Sequence, residues 1–343
     1  MENQLYYGDN LGVIKRHIKD ESVDLVCPQC GRFSLFKRFF VAAVSERHGR
    51  RGKLSLARFC IKYIHYIGIS FRHPNLCHDW FDFLDSAAIR PFVAANPVLP
   101  LKPFRPYLSR SLNVWERMRV IRDSLSFLVE QKNFIPNVGH AFVIATVNLG
   151  NDPSVSFRLK FNRQKEGEAT LYLSLADDKI VMYCHFSFER KSDGPRVMRI
   201  GCIQGKKMPE MQKQLEKNMH GLRTRSLLLF ACQEVAHALG VKEIFGVSNK
   251  NQVYRTFAKK MWVISDPSCR RFSFDYDAFW TEADGVLDAE GWFRLPPRLV
   301  KRAKSEMKPN KRSMYMRRYA MLDKLSLQIH HALNETFTFT ACQ

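Results

Sequence analysis

A turn rich in glycine, basic and hydroxyl residues precedes a helix that the sequence predicts over residues 223–240. The turn reads 220-HGLRTRS-226, and Gly240 would end the helix as a C-terminal cap. Backbone N–H groups and the positive end of the helix dipole at such a turn would bind a phosphate group, and guanidinium groups would add charge-assisted hydrogen bonds. A glycine would allow the tight backbone, and a threonine or serine hydroxyl would cap the helix. The predicted binding residues are Gly221, Arg223, Thr224, Arg225 and Ser226.

A second interpretation of this turn is structural. Arg223 and Arg225 could pair with the carboxylates of Asp275 or Asp277, and the sequence leaves both interpretations open. Those two carboxylates could also bind a cation, but a hard metal ion needs more oxygen ligands than this segment offers. An aromatic-rich turn packed on a sheet is therefore the preferred interpretation of 275-DYDAFW-280.

The cysteines do not predict a metal site. Cys27 and Cys30 form one Cys-x-x-Cys pair, and no second pair of soft ligands follows at matched spacing. The nine cysteines are odd in number and scattered, and no signal peptide precedes them, which is typical of a reducing cytoplasm. No apolar run reaches the roughly 18 residues of a spanning helix, so the chain is expected to be soluble, or peripheral at the inner membrane face.

The charge balance predicts an anionic partner. Among 343 residues, 54 are Lys or Arg and 33 are Asp or Glu, a formal net charge of +21. Such a charge favours a membrane surface, nucleic acid or a phosphorylated ligand, without choosing among them. The densest basic segment is 298–325, which is equally typical of a solvated helix face. Its predicted anion-binding residues are Lys311, Arg312, Arg317 and Arg318.

Hydrophobic periodicity predicts an α+β fold. Five alternating or β-branched runs between residues 140 and 206 predict consecutive antiparallel strands, the helix follows them, and 243–248 reads as a buried strand. A helix that leads into a buried strand makes the sheet mixed, although mainly antiparallel. Prolines near residues 97–106 predict an extended connector before a helix over 112–131. The predicted units are 1–31, a basic helical region 32–97, a sheet domain with a basic C-terminal helix 98–330, and a tail 331–343.

The first residues resemble adenine-specific DNA methyltransferases. The stretch 3-NQLYYGDNLGVIKRHIKDESVDL-25 is similar to the segment that leads into their catalytic Asp-Pro-Pro-aromatic turn. Here that turn reads Cys27-Pro28-Gln29-Cys30, which supplies neither the acceptor for the adenine amine nor the stacking ring. Residues 1–31 are therefore interpreted as a remnant without methyltransferase activity.

Most of the chain resembles the VirK/YbjX family, also catalogued as domain of unknown function 535. Ordered matches extend from about residue 54 to 328 and include 166-EGEATLYLSL-175, 200-IGCIQG-205 and 220-HGLRTRSLLL-229. The resemblance implies a bacterial cytoplasmic protein connected with virulence, with tolerance of membrane-active peptides and with the response to DNA damage and other stress. It implies no settled reaction.

The order of elements from residue 197 to 254 is similar to the coenzyme A site of the N-acetyltransferase superfamily. That resemblance implies two strands that separate around an acyl-pantetheine and a pyrophosphate held by the 220–226 turn. It also implies that Asn249 and Tyr254 lie on a following helix, Asn249 as a cofactor-binding residue and Tyr254 as the general acid for the departing thiolate. Arg223 and Arg225 replace the glycine and small residue usual at the end of such a turn. Candidate bases by position on the sheet are Glu166, Glu168 and His185, while Tyr254 as a half-buried structural residue is the alternative.

Two function hypotheses follow. The first is a non-catalytic protein of the VirK/YbjX type whose basic surface contacts an anionic partner. The second is an acyltransferase that uses acyl-coenzyme A. The sequence leaves the enzyme status and the oligomeric state open.

Overall fold

The computed structural model describes residues 35–44, 56–130, 140–149, 152–161, 165–191, 194–206, 208–254 and 274–336. The methyltransferase-like residues, with Cys27 and Cys30, lie outside these ranges. That part of the sequence analysis stays a prediction, and so do the unit boundaries.

The N-terminal part of the described chain is helical, as predicted for residues 32–97. Residues 35–44 are helical and are followed by α1 (Leu56–Arg72), α2 (Pro74–Asp85) and α3 (Arg90–Ala95). Aromatic rings hold these helices together, because Phe39 stacks on Tyr66 and meets Phe81 and Phe104 edge to face. These helices share one apolar core with the rest of the chain.

The proline-containing segment after α3 is packed, whereas the sequence predicts an extended connector. It contains a short 3-10 helix, Leu99–Leu101, and the indole N–H of Trp80 donates to the carbonyl of Pro100 at 3.0 Å. Its apolar side chains are almost fully buried, because proline removes helical periodicity but does not prevent packing. The buried side chains include Leu99, Leu101, Phe104, Tyr107 and Leu108.

Helix α4 (Val114–Val129) confirms the helix predicted over 112–131. It begins with a capping box: Asn113 accepts from the N–H of Glu116 at 3.0 Å, and the Glu116 carboxylate accepts from the N–H of Asn113 at 2.6 Å. The hydroxyl of Ser124 donates to the carbonyl of Phe188 at 2.6 Å and fixes the helix against the sheet.

The sheet is mixed and mainly antiparallel, as predicted. Strands β1 to β5 form an antiparallel meander, β5 and β6 pair in parallel, and β8 lies between β6 and β7. The strands are β1 (Ala141–Leu149), β2 (Asp152–Phe161), β3 (Ala169–Leu175), β4 (Ile180–Arg190), β5 (Arg196–Gly205), β6 (Glu243–Val247), β7 (Val286–Leu287) and β8 (Trp292–Leu295).

Four helices belong to the second half of the described chain. They are α5 (Pro209–Asn218), α6 (Thr224–Ala238), α7 (Tyr276–Glu282) and α8 (Arg312–Thr336). Helices α6 and α8 contact each other, and they cover the apolar face of the sheet, where Phe157, Leu171 and Phe186 are fully buried. The opposite face carries polar residues such as Arg158, His185 and Gln204.

Residues 249–254 form turns, so the prediction that Asn249 and Tyr254 lie on a helix is wrong. Local side chains bond the backbone instead. The Gln252 carbonyl oxygen accepts from the N–H of Tyr254 at 2.6 Å, and the Asn251 amide donates to the carbonyls of Glu290 and Gly291. These side-chain bonds hold the segment after β6 in turns.

Trp280 lies directly against the backbone of Gly246. A Cβ added to Gly246 would lie 2.5 Å from a ring carbon of Trp280, whose indole N–H donates to the carbonyl of Val247 at 2.9 Å. Gly246→Ala is therefore expected to lower the free energy of unfolding by about 1–3 kcal/mol in urea titrations. Gly68→Ala in α1 is the control, since that Cβ meets nothing within 4 Å and alanine should stabilise the helix. Equal midpoints of urea unfolding for the two variants would contradict the packing of Trp280 on Gly246.

Candidate functional site

The parallel pairing of β5 and β6 stops in the middle of the sheet, because β6 ends while β5 continues. Their parallel pairing covers four residue pairs, from Val197–Glu243 to Ile200–Gly246. Strand β5 continues to Gly205 and stays paired with β4, whereas β6 ends at Val247 and the chain turns away. We call the separated part, residues 201–205 and 247–251, the strand fork.

A β-bulge lies at the fork. His185 is opposite Cys202 and Phe186 is opposite Ile200, so Gly201 is the additional residue on β5. A Cβ on Gly201 would lie 2.2 Å from the carbonyl oxygen of Glu166, because the loop 165–168 crosses β5 there. Bulges occur often beside active sites, where they redirect side chains and end strand pairing.

The same loop places Glu166 at the fork. Its side chain is only 4% exposed, and burial raises the pKa of Glu166 to about 7, against the opposing effects of a hydrogen bond with Cys202 and of the charges of Lys165 and Lys102. A carboxyl group with this pKa is suited to exchange a proton near neutral pH.

Two tyrosines and a glutamine surround Glu166 and Cys202. The hydroxyl of the fully buried Tyr276, from α7, lies against Cys202 and Gln204. The hydroxyl of Tyr183 donates to the Gln204 side chain at 2.8 Å. Burial raises the pKa of Tyr276 and of Cys202 well above their ordinary values, so both stay protonated near neutral pH. The fork is thus lined by proton donors around one titrating carboxyl group.

The other two candidate bases have different surroundings. Burial lowers the pKa of His185 to about 3, and its Nδ1 lies 2.7 Å from the hydroxyl of Thr170, so this imidazole is a weak base. The carboxylate of Glu168 lies 2.7 Å from the buried ammonium of Lys102, which also donates to the carbonyl of Gly167. Of the three candidates, Glu166 is best suited to accept a proton.

The predicted phosphate-binding turn lies at the start of α6. Gly221 has a positive φ of 72°, as a tight turn requires, and Arg318 of α8 donates to the carbonyl of His220 at 2.7 Å. Thr224 is buried and Ser226 half-buried, and neither is at the N-cap. Arg223 is the N-cap residue and gives no side-chain cap, so the predicted hydroxyl cap is wrong and the first-turn N–H groups have no capping side chain.

Both turn arginines contact α7, but not through the aspartates that the sequence suggests. Arg223 Nη1 lies 2.5 Å from the carboxylate of Glu282, and both side chains are more than half exposed. The guanidinium of Arg225 lies over the ring of Phe274, at 5.4 Å from the ring centroid. Asp275 instead caps α7 by accepting from the N–H of Ala278.

Asn249 and Tyr254 approach the fork from the chain after β6. The Asn249 amide donates to Asp275 at 2.7 Å and its oxygen accepts from the N–H of Tyr276 at 2.9 Å, so it ties the end of β6 to α7. The ring of Tyr254 lies 5.4 Å from the ammonium of Lys165, next to Glu166. Their predicted roles in cofactor binding and catalysis stay predictions.

The four predicted anion-binding residues have different environments. Lys311 and Arg317 are exposed, and no carboxylate pairs with either of them in the described part of the chain. Arg312 Nε donates to the carbonyl of Met307 at 3.3 Å, and Arg318 bonds the 220–226 turn. Arg318 thus joins the basic segment to the predicted phosphate-binding turn.

Sequence reasoning missed several residues of the fork. Lys102 belongs to a segment interpreted as a connector, and Tyr276 to a segment interpreted only as a packed turn. Cys202 and Gln204 lie on an apolar strand, where their alternating polar positions were an available signal.

The described residues include no helix long and apolar enough to cross a membrane. They also include no group of three or more His, Cys, Asp or Glu side chains that could hold a metal ion.

The raised pKa of Glu166 predicts a pH-dependent stability difference. The folded state retains a proton on Glu166 above the ordinary pKa of 4.5, so this group's contribution to stability falls as the pH rises towards about 7. Relative to the parent protein, Glu166→Gln should gain on the order of 3 kcal/mol in unfolding free energy between pH 4.5 and 8. Urea titrations at both pH values measure the gain. The exposed Glu210→Gln is the control, and an equal change in both variants would overturn the assignment.

Comparison with known proteins identifies relatives along most of the chain. A family model described as "Protein of unknown function (DUF535)" matches residues 56–331. Uncharacterized protein YbjX of Escherichia coli is 26% identical, over 75% of this chain and 78% of the relative. An uncharacterized protein of Haemophilus influenzae is 24% identical, over 78% of this chain and 88% of the relative. Membrane protein LapB of Mannheimia haemolytica is 25% identical, over 54% of this chain and 86% of the relative.

No solved structure matches the chain. The family match starts at residue 56 and therefore does not reach the methyltransferase-like segment. It includes the loop of Glu166, the fork and the basic residues of α8. The resemblance to the VirK/YbjX family is confirmed, and the chain belongs to the DUF535 family.

Proposed function

We propose that the protein transfers an acyl group from acyl-coenzyme A to an amine at the strand fork. The observation that carries this proposal is the early end of the parallel pairing between β5 and β6, beside a buried carboxyl group with a pKa of about 7. Beyond the last pair, the β5 edge that faces β6 has no partner from that strand, and an extended pantetheine arm could bond to its backbone groups. The order of strand, helix and parallel strand supports the same reaction, since it is the order of the N-acetyltransferase superfamily.

The residues at the fork provide the proton transfers that the reaction needs. The amine would attack the thioester carbonyl and form the C–N bond, and Glu166 would accept the amine proton. Breaking the C–S bond would release a thiolate, which a tyrosine hydroxyl would protonate. Tyr254 is the acid implied by the resemblance, and Tyr276 is a second candidate because its hydroxyl already lies against Cys202 on β5.

The start of α6 would bind the pyrophosphate. Its first-turn N–H groups have no side-chain cap, and the exposed ion pair between Arg223 and Glu282 contributes little stability, so a phosphate group could displace Glu282 from Arg223. Arg225, held over Phe274, would add a second guanidinium. Arg223 would therefore favour binding of the pyrophosphate, whereas Glu282 would compete with the pyrophosphate for Arg223.

Acetyl-coenzyme A should raise the melting temperature of the parent protein in a thermal-shift titration. Arg223→Gln is expected to weaken binding at least tenfold, because a charge-assisted hydrogen bond to phosphate is lost. Glu282→Gln removes the same ion pair but leaves Arg223 available, so binding should be kept or strengthened. The proposal fails if acyl donors give no shift, or if both variants lose binding equally.

A second candidate function is contact with an anionic lipid surface through α8 and the segment before it. Lys304, Lys308, Lys311 and Arg317 are exposed there, and no carboxylate pairs with them within the described ranges. The exposed apolar residues Val300 and Met316 lie in the same stretch of sequence, and apolar side chains among cations favour a bilayer over nucleic acid. The relative named as a membrane protein gives limited support. The roles in virulence, peptide tolerance and stress implied by the VirK/YbjX resemblance would be consistent with this surface.

Binding to vesicles containing phosphatidylglycerol tests this second function. Sedimentation with such vesicles should fall steeply between low and moderate salt, and the double variant Lys311→Glu/Arg317→Glu should reduce it at least tenfold. Lys179→Glu, which changes an exposed lysine of the β3–β4 turn, is the control. Equal binding to neutral vesicles, or tighter binding to nucleic acid than to these vesicles, would contradict the assignment.

A further inference from the structure

A groove lies on the polar face of the sheet, beside the paired part of β5 and β6. Its volume is about 790 Å³, within the range of small-ligand sites. Residues of β4, β5, β6 and β8 form the floor, the segment from Ser111 to Arg119 forms one wall, and the turn 288–290 forms the rim. None of the residues predicted from the sequence to bind a ligand lines this groove.

The floor contains two carboxylates, and each contacts two cations. Glu189 lies 2.8 Å from Arg119 and also pairs with Arg199. Glu243 lies 2.6 Å from Lys191 and 2.8 Å from Arg294. Each group of three side chains therefore has an excess positive charge, to which an anionic ligand group could bind.

One of these cations packs against aromatic rings, and two others are exposed to solvent. The Arg199 guanidinium lies 4.7 Å from the ring centroid of Trp292 and 5.3 Å from that of Phe245, and its side chain is 11% exposed. The side chains of Arg119 and Arg294 are 54% and 65% exposed. Arg199 thus supports the floor, while the two exposed guanidinium groups can donate to a ligand carboxylate.

The rim has the opposite charge. It carries Asp288 and Glu290, Glu116 of the wall adds a third carboxylate, and the Glu290 side chain is 74% exposed at 3.9 Å from Arg199. Asp288 accepts from the N–H of Trp292 at 2.8 Å, and Asn251 donates to the carbonyl of Glu290 at 3.0 Å, so the rim turn is held in place. A ligand group next to this rim is favoured if it carries a positive charge.

We propose that the groove binds a short zwitterionic peptide, with its carboxylate at Arg119 and Arg294 and its ammonium group at Glu290. A ligand with only negative charge would meet the rim carboxylates, and a ligand with only positive charge would meet the cationic floor. Cations on the floor and carboxylates on the rim therefore select for a ligand that carries both charges. This binding does not depend on acyl transfer at the fork, although a peptide amine is an acceptor that such a transfer could use.

Calorimetric titration of the full chain with L-alanyl-L-alanine, its N-acetyl derivative and its C-terminal amide tests this assignment. The free dipeptide should bind, and each blocked derivative should bind at least tenfold more weakly. The proposal is overturned if no dipeptide form binds, or if a blocked derivative binds as tightly as the free dipeptide.

Two variants locate the two ends of the ligand. Arg294→Gln should weaken binding of the free dipeptide until it binds no more tightly than the C-terminal amide, because the ligand carboxylate loses its partner. Glu290→Gln should make the free dipeptide bind no more tightly than the N-acetyl derivative, because the ligand ammonium group loses its partner. Both side chains are more than half exposed, so folding should be kept, and Arg90→Gln, an exposed arginine outside the groove, is the control. Unchanged discrimination in both variants would place the ligand elsewhere and overturn the proposal.

Discussion

The short parallel contact between β5 and β6 is the constraint on which the candidate site depends. A parallel partner must arrive through a crossover connection, which here contains α5 and α6 and places the start of α6 after the end of β5. The pairing ends after four residue pairs, where β5 carries the bulge at Gly201 and β6 ends at Val247. The fork and the position of the helix start follow from that one contact, and the loop of Glu166, between β2 and β3, lies against β5 at the same place.

Burial gives the fork its chemical character. A carboxyl group surrounded by Cys202 and Tyr276, and separated from water, loses the solvation that stabilises its charge, and the pKa of Glu166 rises to about 7. The nearby Glu168 retains Lys102 as an ion-pair partner at 2.7 Å. Two glutamates that are two residues apart in the sequence therefore have different surroundings, which a charge count along the chain does not distinguish.

The groove and the fork lie on neighbouring parts of the same strand. Arg199 belongs to the groove floor, and Gly201, two residues later, belongs to the bulge. On β5 the first part remains paired with β6 and is covered by charged side chains, whereas the second part has separated from β6. One strand thus supports a charged groove and a site for proton transfer, and the change from one to the other occurs where the parallel pairing stops.

Local patterns along the chain were enough to predict the α+β class, the antiparallel run, the helix now seen at Thr224–Ala238 and the family, because periodicity and ordered motifs are local properties. They also indicated Glu166 as a candidate base by its expected position on the sheet. Folding in three dimensions was needed to show that the proline segment is buried, that Arg223 pairs with Glu282 rather than with Asp275 or Asp277, and that Tyr276 reaches Cys202. The last two of these contacts join residues 59 or more positions apart, and their geometry depends on how α7 packs on the sheet, which no local pattern encodes.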